Sequence, residues 1–126
     1  MKILVVDDEP EISDLIAEIL NAAGHEAVPE TDPHEGLARL AAGDIEVMIL
    51  DVRMPGLEGT ELYLESRRMG LNIPTILISG YGPTQDIKEA ISEGALCCIS
   101  KPFKVEKLLE LIDAITPGTD SVDRPE

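Results

Sequence analysis

The sequence predicts an α/β domain in which five βα units build a parallel sheet covered by helices on both faces. Three observations carry this. Short apolar runs alternate along the chain with stretches whose apolar residues recur at helical spacing. Glycines at 24, 43, 70 and 94 each stand between a helical stretch and the next apolar run, as αβ turns require. The run Val47-Met48-Ile49-Leu50 passes unbroken into Asp51 and is turned away by Pro55-Gly56. A short apolar run bounded by turn residues reads as a strand buried on both faces.

Lys2-Ile3-Leu4-Val5-Val6 is the first strand and ends at Asp7-Asp8-Glu9-Pro10. Pro10 suits the first turn of a helix and the acidic residue before it suits the N-cap. Ile12, Leu15, Ile16, Ile19 and Leu20 follow at helical spacing until Gly24. Residues 26–30 form a weak strand whose Pro29 places it at or near a sheet edge. Thr31 or Asp32 caps a second helix that starts at Pro33, turns Leu37 and Leu40 inward and ends by Gly43. The central strand leads to a third helix over about residues 57–69. Thr75-Ile76-Leu77-Ile78 runs out into Ser79-Gly80-Tyr81-Gly82-Pro83, and Thr84 caps a helix with Ile87, Ala90 and Ile91 on one face. Cys97 to Ser100 is the last strand. Lys101-Pro102-Phe103 then opens a helix carrying Val105, Leu108, Leu109, Ile112 and Ile115.

The 126 residues suit one domain with one core, and with only Tyr63, Tyr81 and Phe103 as aromatics that core must be aliphatic. A net charge of −15 argues against direct binding to nucleic acid or an anionic membrane, and suits a partner with a basic face or a bound cation. No leader pattern opens the chain and no apolar run approaches a membrane span, so a soluble, cytoplasmic protein is expected. Cys97 and Cys98 are adjacent, poorly placed for an ordinary disulfide, and form no ligand spacing with His25 or His34. They read as small core residues in a reducing compartment.

Asp7-Asp8, Asp51 and Ser79 close three strands at the same sheet edge, and Lys101 follows the last strand. Open α/β sheets place ligand sites at that edge. Each residue has an ordinary reading alone: Asp7 and Asp8 as helix caps, Asp51 as a carboxylate bonded to backbone N–H groups, Ser79 as a turn residue, Lys101 as a solvated lysine. Together their chemistry is complementary. Converging carboxylates repel unless a cation sits between them, and hard oxygen ligands with room for water suit Mg²⁺. Ser79 can donate to a phosphoryl oxygen, Lys101 supplies a positive charge, and Asp51 is then the nucleophile of an in-line phosphoryl transfer.

With those residues in place, the chain resembles the receiver domain of two-component response regulators. The resemblance rests on Val5-Val6-Asp7-Asp8-Glu9, Leu50-Asp51-Val52-Arg53-Met54-Pro55-Gly56, Ile78-Ser79-Gly80-Tyr81 and Ser100-Lys101-Pro102-Phe103, and covers Lys2 to about Ile115. It implies a flavodoxin-like (βα)₅ fold with strand order 2-1-3-4-5. It implies Mg²⁺ held by Asp8, Asp51 and the backbone carbonyl of Arg53, with Asp7 acting through water, and a cis peptide between Lys101 and Pro102. It implies phosphorylation of Asp51 by a sensor histidine kinase or phosphotransfer protein. The only chemistry catalysed would be the domain's own phosphorylation and dephosphorylation. Output would pass through the face made by the fourth helix, fifth strand and fifth helix to an effector domain, a partner protein or a second copy of the chain.

One position departs from the family. Receivers usually carry an aromatic residue three positions before the lysine, which turns inward when the hydroxyl residue moves to the phosphate; here it is Cys98. Tyr81 is either a substitute or a partly exposed loop tyrosine, and the loop over residues 80–84 is expected to carry most of the rearrangement. Two other classes stand beside the receiver. One is an interaction module that keeps the fold without phosphate. The other is an aspartyl-phosphate hydrolase, which wants an acid two places after the nucleophile, where this chain has Arg53. Residues 1–116 are read as the domain, and residues 117–126, polar and rich in breakers, as a tail or the beginning of a linker.

Overall fold

The computed structural model describes residues 1–80 and 84–115. Strands β1 (Lys2–Val6), β2 (Glu26–Glu30), β3 (Val47–Asp51), β4 (Thr75–Ser79) and β5 (Cys97–Ser100) alternate with helices α1 (Pro10–Ala22), α2 (Pro33–Leu40), α3 (Gly59–Arg68), α4 (Gln85–Ser92) and α5 (Val105–Ile115). All strand pairs are parallel and the order is β2-β1-β3-β4-β5. The order implied by the family resemblance is therefore the one observed.

Strand periodicity sorts the apolar side chains into two layers. Ile3, Val5, Val47, Ile49, Ile76, Ile78 and Ile99 pack with Ile16 and Leu20 of α1 and Leu108 and Ile112 of α5. Leu4, Val6, Met48, Leu50 and Leu77 face the other way, against Leu40, Leu62, Tyr63, Ile87 and Ala90 of α2, α3 and α4. β3 and β4 are buried at every position, which is why they read as continuous apolar runs. Each buried Leu, Ile or Val contributes about 1.5–3 kcal/mol. β2 pairs with β1 alone, with Pro29 opposite Val5, so the proline lies on an edge strand as its missing N–H demands.

Several boundaries and faces depart from the sequence expectation. α3 begins at Gly59 rather than near Leu57 because Glu58 and Glu61 close a capping box there. Glu9 and Thr84 stand at N-cap positions but their side chains make no cap bond, whereas the Asp32 carboxylate does accept from His34 N. Leu15, Ile91 and Val105 follow their helical stripes in sequence yet are 50%, 41% and 41% exposed. Their stripes are wider than the strip of sheet each helix covers. The glycines at 24, 43, 70 and 94 all have positive φ, as their turn positions predict. Cys97 and Cys98 are free and half-buried, and contact opposite layers. Tyr81, most of the 80–84 loop and the segment 117–126 lie outside the described residues.

Candidate phosphoacceptor site

Parallel register brings the polar strand ends together. β1 and β3 pair up to Val6 opposite Leu50, so the next residues, Asp7 just past β1 and Asp51 closing β3, come side by side at the sheet edge. Asp51 lies opposite Ile78, which lies opposite Ile99, and Lys101 comes two residues later. By the same alternation Asp7, Asp51 and Lys101 fall on the sheet face covered by α1 and α5. Ser79 closes β4 opposite Ser100, and its carbonyl accepts from Lys101 N at 2.8 Å.

Lys101 Nζ is 3.3 Å from Asp7 Oδ2, 3.3 Å from Asp51 Oδ1 and 3.7 Å from Glu9 Oε1. The peptide between Lys101 and Pro102 is cis. One carboxylate oxygen from each of Asp7, Asp8 and Asp51 lies within 4.8 Å of the others. Asp7 is 1% exposed and Asp51 5% exposed, while Asp8 is half-buried. Asp7 Oδ1 accepts from Glu9 N at 3.0 Å, which fixes the acidic turn. Ser79 is buried at the same edge. Asp8, Glu9, Asp51, Arg53, Gly80 and Lys101 line an open pocket of about 440 Å³. At its rim Arg53 Nη1 pairs with Glu58 Oε2 at 3.0 Å.

This cluster is short of positive charge. Burial, and then the negative charge of Asp7, push the Asp51 carboxyl up to about 6 despite the opposing pull of Lys101. Burial alone would depress the Lys101 ammonium, but Asp51 and Asp7 together outweigh it and hold its pKa above the ordinary value. Three convergent carboxylates with one lysine therefore form a hard-oxygen donor set suited to a small divalent cation with retained waters.

The structure brings together Asp7, Asp8, Asp51 and Lys101, and sets Ser79 and Arg53 at the same edge. Glu9 is the member that sequence reasoning missed. An acid before Pro10 reads as a cap, and only the return of Lys101 from the far end of the chain reveals its second partner. The Asp-Asp-Glu run was the available signal. Among the described residues no helix is long and apolar enough to cross a membrane.

Residues 3–113 match the profile of the response regulator receiver domain. The chain is 37% identical over 113 residues to the nitrogen assimilation regulatory protein NtrX of Azorhizobium caulinodans, covering 88% of this chain and 25% of that protein. It is 30% identical over 116 residues to the transcriptional regulatory protein TcrA of Mycobacterium tuberculosis, covering 92% of this chain and 46% of that one. The chain thus spans no more than about half the length of these relatives. The receiver domain of NtrX from Brucella abortus superposes with a TM-score of 0.82 at 36% identity, covering 90% of this chain and 96% of that one. A receiver domain from Clostridium thermocellum superposes at 0.87 with 28% identity, covering 96% and 98%. With nearly its whole length matched, and the acidic edge and the lysine in place, the chain belongs to the receiver-domain family of two-component response regulators.

Proposed function

We propose that Asp51 accepts a phosphoryl group from the phosphohistidine of a sensor kinase or phosphotransfer protein, and that residues 1–116 act as the switching unit. The observation that carries this is Lys101 Nζ standing 3.3 Å from both Asp7 and Asp51 above a nearly buried carboxylate that faces an open polar pocket. Asp8, Asp51 and the main-chain carbonyl of Arg53 would hold Mg²⁺, with Asp7 acting through water. When bound, the ion neutralises charge on the carboxylates and on the phosphoryl oxygens.

An Asp51 carboxylate oxygen attacks phosphorus, the P–N bond breaks, and its electron pair returns to the imidazole of the donor. Lys101 turns from the Asp51 carboxylate to a phosphoryl oxygen, and the Ser79 hydroxyl donates to another. Water later attacks the acyl phosphate and releases phosphate, so each cycle ends on the protein's own side chain. Arg53 occupies the place where an aspartyl-phosphate hydrolase needs its acid, and it is engaged with Glu58. The phosphorylated state would be read at α4, β5 and α5, where Ile91 and Leu96 are exposed, by an effector domain, a partner protein or a second copy. A cytoplasmic setting follows from a kinase donor.

Incubation with acetyl phosphate and Mg²⁺ should add one phosphoryl group by intact mass. The adduct should be labile in base and absent from Asp51→Ala. Modification of Ser79, His25 or His34 instead would overturn the assignment.

A further inference from the structure

α4 is weakly anchored by apolar contacts. Of its eight residues only Ile87 and Ala90 are buried, and β5 offers it the small, half-buried Cys98. Two polar links to α3 supplement them. Tyr63 Oη donates to Glu93 O at 3.2 Å beyond the carboxyl end of α4. At the amino end, Thr60 Oγ1 donates to Asp86 Oδ2 at 3.2 Å, while the Thr84 hydroxyl donates to Asp86 Oδ1. Both oxygens of one carboxylate are thereby engaged, by α3 on one side and the entry to α4 on the other. Thr60 is 2% exposed, so the bond to it is shielded on the α3 side.

Thr60 is also tied to the acidic site. Its neighbour Gly59 donates to Val52 O at 3.0 Å, and a Cβ at Gly59 would lie 2.2 Å from the Asp51 carbonyl oxygen. The start of α3 is therefore seated on the Asp51 peptide and cannot move away independently. Asp86 stands instead on the segment that follows Ser79. A phosphoryl group on Asp51 draws the Ser79 hydroxyl toward its oxygens, and that pull acts on the connection into α4. One end of the Thr60–Asp86 bond is fixed to the site and the other belongs to the part that must shift.

We infer that Thr60 and Asp86 form a clasp holding α4 in its unphosphorylated position, so that the clasp opposes phosphorylation of Asp51 and sets how readily the domain switches. The inference rests on the phosphoacceptor reading of Asp51. The clasp restrains α4 in a chain that has Cys98 where receivers usually place an aromatic. The carboxyl of Asp86 is held below its ordinary value, first by Thr84 and, against the opposing effect of burial, by Thr60 as well, which agrees with a bonded, charged clasp.

Linkage supplies a test that a purely structural bond would not pass. If the clasp favours the resting state, removing it must tighten binding of a phosphoryl mimic. Beryllofluoride with Mg²⁺, titrated by fluorine NMR, should bind Thr60→Val and Asp86→Ala about fivefold or more tightly than the wild type. Thr60→Ser should restore wild-type affinity. The double variant should gain no more than Asp86→Ala alone, because that change already removes the bond from Thr60. Amide exchange of α4 without the mimic should be faster in Thr60→Val. If the wild type binds and neither variant binds more tightly, the clasp is overturned while the Asp51 reading stands. A wild type that takes up no beryllofluoride overturns that reading, and the clasp with it.

Discussion

Asp51 is a nearly buried carboxylate, and its proton affinity reports burial first and then the opposed charges of Asp7 and Lys101. Its pKa in the folded state is about 6 against an ordinary value of 3.8, so the folded chain binds this proton more tightly than the unfolded one. The stability this contributes is fully present below about pH 3.8 and is lost as pH rises to about 6. Asp44 works in the opposite sense, because hydrogen bonds from Lys2 and Arg39 hold it down to about 2, but its window lies below the one in which Asp51 titrates. In chelator, Asp51→Asn should therefore remove a decline in stability between about pH 4 and 6, and should leave the variant more stable than wild type at pH 7. Urea unfolding of both proteins across that range measures it; parallel curves would show that Asp51 is not strained by burial and its neighbours. The identity of this residue was legible because a lone carboxylate ended an apolar run. Its strain was not, since burial comes only with the closed fold and Asp7, the charge that adds to it, lies 44 residues away along the chain.

At the level of elements, the helices and strands are placed by local signals and trimmed by contacts. Pro10 and Pro33 open helices, Gly24 and Gly70 close them, and β3 and β4 announce themselves as unbroken apolar runs. The start of α3 illustrates what local signals omit. Leu57 looks like a helix residue, yet the backbone waits for Glu58 to cap, and Gly59 then packs directly on the Asp51 carbonyl. Gly59 is thus required for its lack of a side chain rather than for an unusual φ. Gly59→Ala should cost about 2–3 kcal/mol of stability by urea unfolding. Gly80→Ala, whose added Cβ meets nothing within 4 Å, should change stability by less than about 1 kcal/mol. Equal effects would mean that α3 is not seated on the Asp51 peptide. The exposure of Ile91 is a second example of the same limit. A helical stripe shows which residues share a face, but the width of the sheet beneath decides how much of that stripe is covered.

For the molecule as a whole, the convergence of Asp7, Asp8 and Asp51 in a chain with an excess of acidic residues would link cation binding to folding. Mg²⁺ that binds the folded chain alone should stabilise it by roughly 2.7 kcal/mol at a hundredfold excess over its dissociation constant. A thermal melt should then shift upward by on the order of 10 °C, and the shift should be largely lost in Asp8→Asn. A melt indifferent to millimolar Mg²⁺ would count against the cation site. The sequence by itself determined the number and kind of elements, the edge position of β2 and the strand-end residues. These rest on short-range physics: side-chain period, turn chemistry and the missing N–H of Pro29. Together with the family resemblance it also supplied the strand order. Only the tertiary structure decided which charges share Lys101, how far Asp51 is desolvated, that Glu9 joins the site and that Thr60 reaches Asp86. Those are properties of distance and dielectric between residues remote in sequence, and they exist only once the sheet has set its register and the helices have closed over it.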